Sequence, residues 1–275
     1  MKTNGKSKRH FSFPSSRRLT RYLGESDAIS EIDELACRFF VDSARESGDA
    51  DTFVTKCSEK FGVCVNLSEF EAWYAHLAQR RIVSVYESAE RFFKEFRREH
   101  SELHLREWTG DADGKSRLAL ALENVGASKG DAERGIGLDL ISRFEYYRLV
   151  RNWIVHDRTR PPEKEVEALN NLAAYSVINA AALGRLTAPN RPDSLTFDDF
   201  ILFSRVTKFV AERLNELGKP SEKSWLSTFD MKPFNSIMNN PERLRNAVAG
   251  KLRTEFGMNA EAAQWISNSL CDSLA

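Results

Sequence analysis

The stretch that decides how this chain is read is Tyr146–Pro162, YYRLVRNWIVHDRTRPP. It starts as an amphipathic helix and stops at Pro161–Pro162, since proline neither donates a backbone hydrogen bond nor continues a helix. Leu140, Phe144, Tyr147, Arg151 and Ile154 follow one another at helical spacing, so Arg151 interrupts an apolar stripe. A guanidinium in that position is costly unless something anionic meets it. Asn152 and His156 are four apart and share the neighbouring face, with His156 on the last turn.

Two accounts fit these residues. In the first they are structural: a buried arginine–carboxylate pair, plus a histidine that complements the helix dipole. In the second they are half of an active site. Spacing does not choose between the two. With five histidines and arginine at about a tenth of the residues, chance supplies roughly half a match to an arginine five before a histidine.

The rest of the chain reads as helical. The segment Ile29–Ser47 places Ile29, Ile32, Leu35, Ala36 and Phe39 at helical spacing. Ser68 and Glu71 make a capping box in front of a long helix running to about Arg98. Its face of Ile82, Val85, Tyr86, Ala89, Phe92, Phe93 and Phe96 fits the three-four pattern throughout. TFDDFILFSRVTKFVAERLNEL predicts a helix capped by Thr196 and ended by Gly218. Gly218–Ser224 reads as a linker to two short amphipathic helices. No strand-rich block and no repeat is visible, which predicts an all-α fold.

Composition narrows the partners. The 41% apolar and 29% charged content is ordinary for a globular protein, and 40 basic residues balance 40 acidic ones. That balance argues against a dedicated duplex-DNA binder and confines any polyanion site to a local patch. Met1–Gly24 carries Lys2, Lys6, Lys8, Arg9, Arg17, Arg18 and Arg21 with no acidic residue, and reads as a flexible basic arm. The four cysteines are scattered without metal or redox spacing. No apolar run approaches the about 18 residues that span a membrane, and the basic N-terminus has no apolar run behind it. A cytoplasmic protein with no membrane partner and no cofactor is expected.

Two other stretches suggest chemistry at first sight. GDADGKS, Gly110–Ser116, is one residue short of a phosphate-binding loop and follows no strand. It reads better as an inter-helix loop ending in an Asp113 or Ser116 cap. His100 and His104 share a helical face, but neither Glu99 nor Glu102 completes a metal signature, so no metal site is expected.

RNWIVHD, Arg151–Asp157, resembles the Arg-x4-6-His motif of HEPN domains, in the variant with a polar residue, here Asn152, after the arginine. The order of a long helix, a middle helix and the motif helix is similar too, and Thr196–Leu214 resembles the closing segment of many such domains. The resemblance covers about Ser68–Leu217. It implies a HEPN-like helical bundle at 68–218, with the arm at 1–24, extra N-terminal helices at 25–67 and a small helical appendage at 219–275.

What the resemblance implies for function is a metal-independent endoribonuclease of bacterial antiviral defence or toxin–antitoxin type. Arg151, His156 and Asn152 take the catalytic roles, and Arg148, Arg158 and Arg160 form a basic rim for RNA, with Asp157 restraining His156. The other reading of the same fold is a non-catalytic module for dimerisation or for binding nucleotide or RNA. Family members modified by a partner carry a tyrosine two residues past the histidine, where this chain has Arg158. On a regular helix Arg151 and His156 point about 140° apart. Together with the family's habit of composite sites, this predicts a homodimer with the motif helix at its interface. The arm and the C-terminal helices are the expected places for an antitoxin or sensor partner to act.

Overall fold

The computed structural model describes residues 11–65, 70–110, 114–157, 159–174 and 187–273. In chain order the helices are α1 (Pro14–Glu46), α2 (Ala50–Phe61), α3 (Phe70–His104), α4 (Arg117–Asn124), α5 (Lys129–Ile136) and α6 (Leu138–Asn152). A π turn, Trp153–Asp157, extends α6. Then come α7 (Glu163–Asn171), α8 (Phe197–Leu217), α9 (Glu222–Thr228), α10 (Pro241–Phe256) and α11 (Ala260–Asp272). Among the described residues there is no strand, and the fold is all-α. No described helix is long and apolar enough to cross a membrane.

Local chemistry sets several helix starts. The Ser116 hydroxyl accepts from the Ala119 amide at 3.0 Å, the cap expected for the loop after Gly110. Asp49, Ser128, Ser221, Asn240 and Asn259 cap their helices in the same way. At α8 the N3 carboxylate of Asp199 accepts from the Thr196 amide at 2.9 Å, one half of a capping box. The capping box expected at Ser68 lies outside the described residues. On α3 the whole predicted face is buried: Ile82, Val85, Tyr86, Ala89, Phe92, Phe93 and Phe96.

The chain forms two compact units, each assembled from separated segments. One comprises Met1–Thr20, Ser88–Ile141 and Thr207–Ala275. Here the basic arm departs from expectation, because residues from Phe11 on are packed. Phe13 meets Phe96 edge-on with centroids 4.8 Å apart, and Phe11 stacks on Phe256 at 5.9 Å. Pro14, with φ preset for a helix, opens α1 directly behind them. Arg17 donates to the Thr254 and Glu255 carbonyls at the end of α10, where a cation complements the dipole. Arg18 pairs with Glu95 and Glu99, both at 2.7 Å. Two arginines of the expected arm are thus consumed inside the fold, while Lys2, Lys6, Lys8 and Arg9 lie outside the described residues.

Gly218 is not the start of a linker between separate bodies, since the chain on both sides belongs to this unit. A Cβ there would stand 3.0 Å from the Leu214 carbonyl, 3.1 Å from His100 and 3.2 Å from Phe13. A side chain there would press on these neighbours by a few tenths of an ångström, and the C-terminal helices continue the unit rather than hang from it.

The second unit comprises Arg21–Glu87 and Ser142–Val206. Its core joins Tyr86, Phe144, Tyr147 and Phe203, with the Phe144–Phe203 and Tyr147–Phe203 centroids at 5.7 and 4.8 Å. Glu34 is buried and accepts from buried Arg81 at 2.7 Å and from Arg38 at 3.0 Å. The helix expected over Ile29–Phe39 is present, but Ile29, Ile32, Leu35 and Phe39 are exposed. Leu23, Glu34 and Ala44 are buried instead. Periodicity found the helix; which stripe faces inward was decided by the Glu34–Arg81 pair.

Candidate functional site

The motif helix α6 is anchored by its first tyrosines. Tyr146 and Tyr147 are fully buried. The Tyr147 hydroxyl donates to the Asp199 carboxylate at 2.9 Å, and the Tyr146 hydroxyl donates to the Asn190 carbonyl. Burial, with Asp199 next in effect, pushes both phenols well above their ordinary value. They act as fixed, neutral supports and not as proton-transfer groups.

One helical turn on, Arg151 is half-buried. Its guanidinium carbon lies 5.2 Å from the centroid of Tyr86, whose ring belongs to the same unit. Nη1 donates to the Asn152 side-chain carbonyl at 3.2 Å. Nε is buried and has no hydrogen-bond partner. Among the described residues no carboxylate pairs with Arg151, so the structural account of a buried ion pair is not met. A guanidinium with one face on an aromatic ring and no carboxylate against it keeps its charge oriented but not neutralised.

His156 lies on the π turn and is exposed, with no hydrogen bond among the described residues. The π turn corrects the angular argument from spacing. Hydrogen bonds from i to i+5 widen the turn, so residues five apart are carried closer to one face than in an α-helix. The 140° divergence holds only for a regular helix, and convergence of Arg151 and His156 does not demand a second motif helix. No hydrogen bond joins Asn152 to His156 among the described residues.

The expected basic rim is not uncompensated. Arg148 pairs with Glu145 at 2.6 Å. Arg160 grips the buried Glu165 carboxylate with both Nη groups, at 2.8 and 3.2 Å. Arg158 and the side chain of Asp157 lie outside the described residues. Arg160 and Glu165 instead hold the turn: the Trp153 indole N–H donates to the Arg160 carbonyl at 2.9 Å, tying the chain after His156 back to its start. Sequence reasoning missed Glu165 and Tyr86. Glu165 lies seven residues before buried Leu172, on one helical face, and is as misplaced a charge there as Arg151 is on α6. Tyr86 carried no signal beyond its place in an apolar stripe.

His100 and His104 are spent in the first unit. Their rings stack with centroids 4.2 Å apart. His100 Nδ1 accepts from the Trp108 indole at 3.0 Å, and His104 Nε2 lies 3.0 Å from the Gly218 carbonyl. Burial, with the charges of His104 and Arg106, holds His100 down to about 3. Among the described residues no group of three His, Cys, Asp or Glu side chains is disposed to hold a metal.

No protein-family model, curated protein or solved structure matches this chain.

Proposed function

We propose that the chain is a HEPN-type endoribonuclease that cleaves RNA without a metal, in the setting of bacterial antiviral defence or a toxin–antitoxin pair. The observation that carries this reading is Arg151: half-buried, stacked on Tyr86, without a carboxylate among the described residues, and bearing a buried N–H with nothing to bind. A phosphate supplies the negative charge that the guanidinium lacks.

The chemistry needs little else. The RNA 2′-hydroxyl attacks the adjacent phosphorus, the P–O5′ bond breaks, and the products carry a 2′,3′-cyclic phosphate and a 5′-hydroxyl. His156 takes the 2′-hydroxyl proton or delivers one to the leaving oxygen. Arg151 stabilises the charge that builds on the non-bridging oxygens. Asn152, already bonded to Arg151, fixes the direction of the guanidinium fork. Exposure of His156 leaves it open to a large substrate.

A homodimer that brings two motif helices to one RNA belongs to the same proposal; its support is the family resemblance and not the helix geometry. The deciding experiment incubates the purified chain with mixed RNA in chelator and maps the ends formed. Cleavage to cyclic-phosphate ends that disappears in both Arg151→Ala and His156→Ala, with the fold intact, supports the enzyme. Cleavage that survives either change, or that needs a divalent ion, overturns it, and binding of RNA without cleavage leaves the non-catalytic module of the same fold.

A further inference from the structure

The four cysteines are free, and their spacing in the sequence suggests no redox pair. The fold brings two of them to one seam. Helices α1 and α2 belong to the second unit and are joined by Ser47, Gly48 and Asp49 alone. Gly48, at φ +74°, lets the chain reverse in so short a connection. Phe40, six residues before the end of α1, meets Phe53, near the start of α2, with ring centroids 5.3 Å apart. The two helices therefore form an antiparallel hairpin, and this contact fixes its register.

From the Phe40–Phe53 layer, Cys37 lies three residues back along α1 and Cys57 four residues on along α2. Both steps lead away from the turn, by about 4.5 and about 6 Å. Around the helix axes they amount to about 60° and about 40°, and in antiparallel helices both carry the side chain to the same side of the seam. With the axes about 8–10 Å apart, the two Cα atoms stand about 5–7 Å from each other, the span that a disulfide bridges. Burial agrees with this placement. Cys37 is half-buried, on the α1 stripe that holds buried Glu34 and Ala44. Cys57 is half-buried with Ala50, Phe53 and Val54 on one face of α2, while Thr52, Thr55, Lys56 and Glu59 are exposed.

We infer that Cys37 and Cys57 are a reversible disulfide site that pins α2 to α1. No residue of α2 is fully buried, so packing alone holds this helix weakly and it opens at low cost. The oxidant is a small-molecule disulfide. One cysteine thiolate attacks it, a mixed disulfide forms and one thiol leaves; the other cysteine then attacks the mixed disulfide and the second thiol leaves. One S–S bond forms as one breaks, two electrons pass to the small molecule, and the two cysteine protons end on its thiols. Neither cysteine belongs to the proposed ribonuclease site, and the inference is independent of that reading.

The test treats the full chain with oxidised glutathione, quenches by alkylation and maps the linked peptides by mass spectrometry. The expected product is a Cys37–Cys57 link within one chain, running at the monomer mass on a non-reducing gel and reversed by dithiothreitol. Amide hydrogen exchange across α2 should slow at least about 10-fold on oxidation. Cys37→Ser should abolish both the link and the slowing, and Cys64→Ser should leave both in place. Thiols that stay reduced, or that keep glutathione without joining each other, overturn the inference. So does a link through Cys64 or between two chains. A Cys37–Cys57 link that leaves exchange in α2 unchanged overturns the pinning of that helix.

Discussion

The guanidinium of Arg151 lies 5.2 Å over the ring of Tyr86, and its buried Nε has no partner. The cation sits on a π face rather than against a carboxylate, so its charge is oriented without being neutralised. Arg151→Lys keeps the charge and loses the planar fork, and cleavage should fall roughly 10²–10³-fold, as when a transition-state donor is removed. Thermal stability of Arg151→Ala should change by no more than about 2 kcal/mol, the worth of the cation–π contact, because no buried carboxylate is left behind. Initial rates beside a melting curve check both.

Tyr86→Leu keeps an apolar filler and removes the ring face. A cation–π contact of this kind is worth about 0.5–2 kcal/mol. The expected result is an Arg151 less well directed, seen as a roughly 3- to 30-fold loss of cleavage with the same ends produced. Different cut ends, or full activity, would show that Tyr86 does not position Arg151.

Arg160→Ala leaves the Glu165 carboxylate buried without its cation. Since Arg160 is 36% exposed, solvent screening holds the cost to about 1–3 kcal/mol. Glu165→Gln on top of Arg160→Ala should recover part of it, measured by urea unfolding. Both changes also loosen the turn that carries His156, so the loss of cleavage should exceed what the loss of folded fraction explains.

The pH response of the fold should come partly from His100. Its folded value, about 3, lies below that of a free histidine, so as pH falls below about 6.5 the unfolded chain gains a proton that the folded chain refuses. Stability is therefore complete above that point and falls with acid, by at most ~1.4 kcal/mol per pH unit from this group. Comparing urea midpoints at pH about 7 and about 5 for the wild type and His100→Gln isolates the effect, and the variant should show the flatter profile. Equal slopes would remove His100 from the account.

The all-α class was legible because α3 carries an uninterrupted apolar face that the fold buries entirely. The inward stripe of α1 was not, since the buried cation that meets Glu34 is Arg81, 47 residues away. Hydropathy alone ranks Ile32 above Glu34 for burial. Arg17 and Arg18 read as solvated charges for the same reason: their partners are backbone carbonyls and glutamates far along the chain. At the site, spacing located Arg151, Asn152 and His156 on one helix end. It could not supply Tyr86, which comes from another helix, nor the widening of the turn, which no residue type specifies.

That widening has a further meaning. A π turn is an α-helix holding one residue too many. Counted that way, Arg151 and His156 stand close to where an i and i+4 pair would stand on an unbroken helix. Removing any one residue of Trp153–Val155 would restore regular winding while bringing the histidine a position nearer in sequence. The number of residues between an arginine and a histidine is then a poor measure of their separation in space, because the helix absorbs an insertion as a change of pitch. A loosely spaced motif can in this way encode a single geometry.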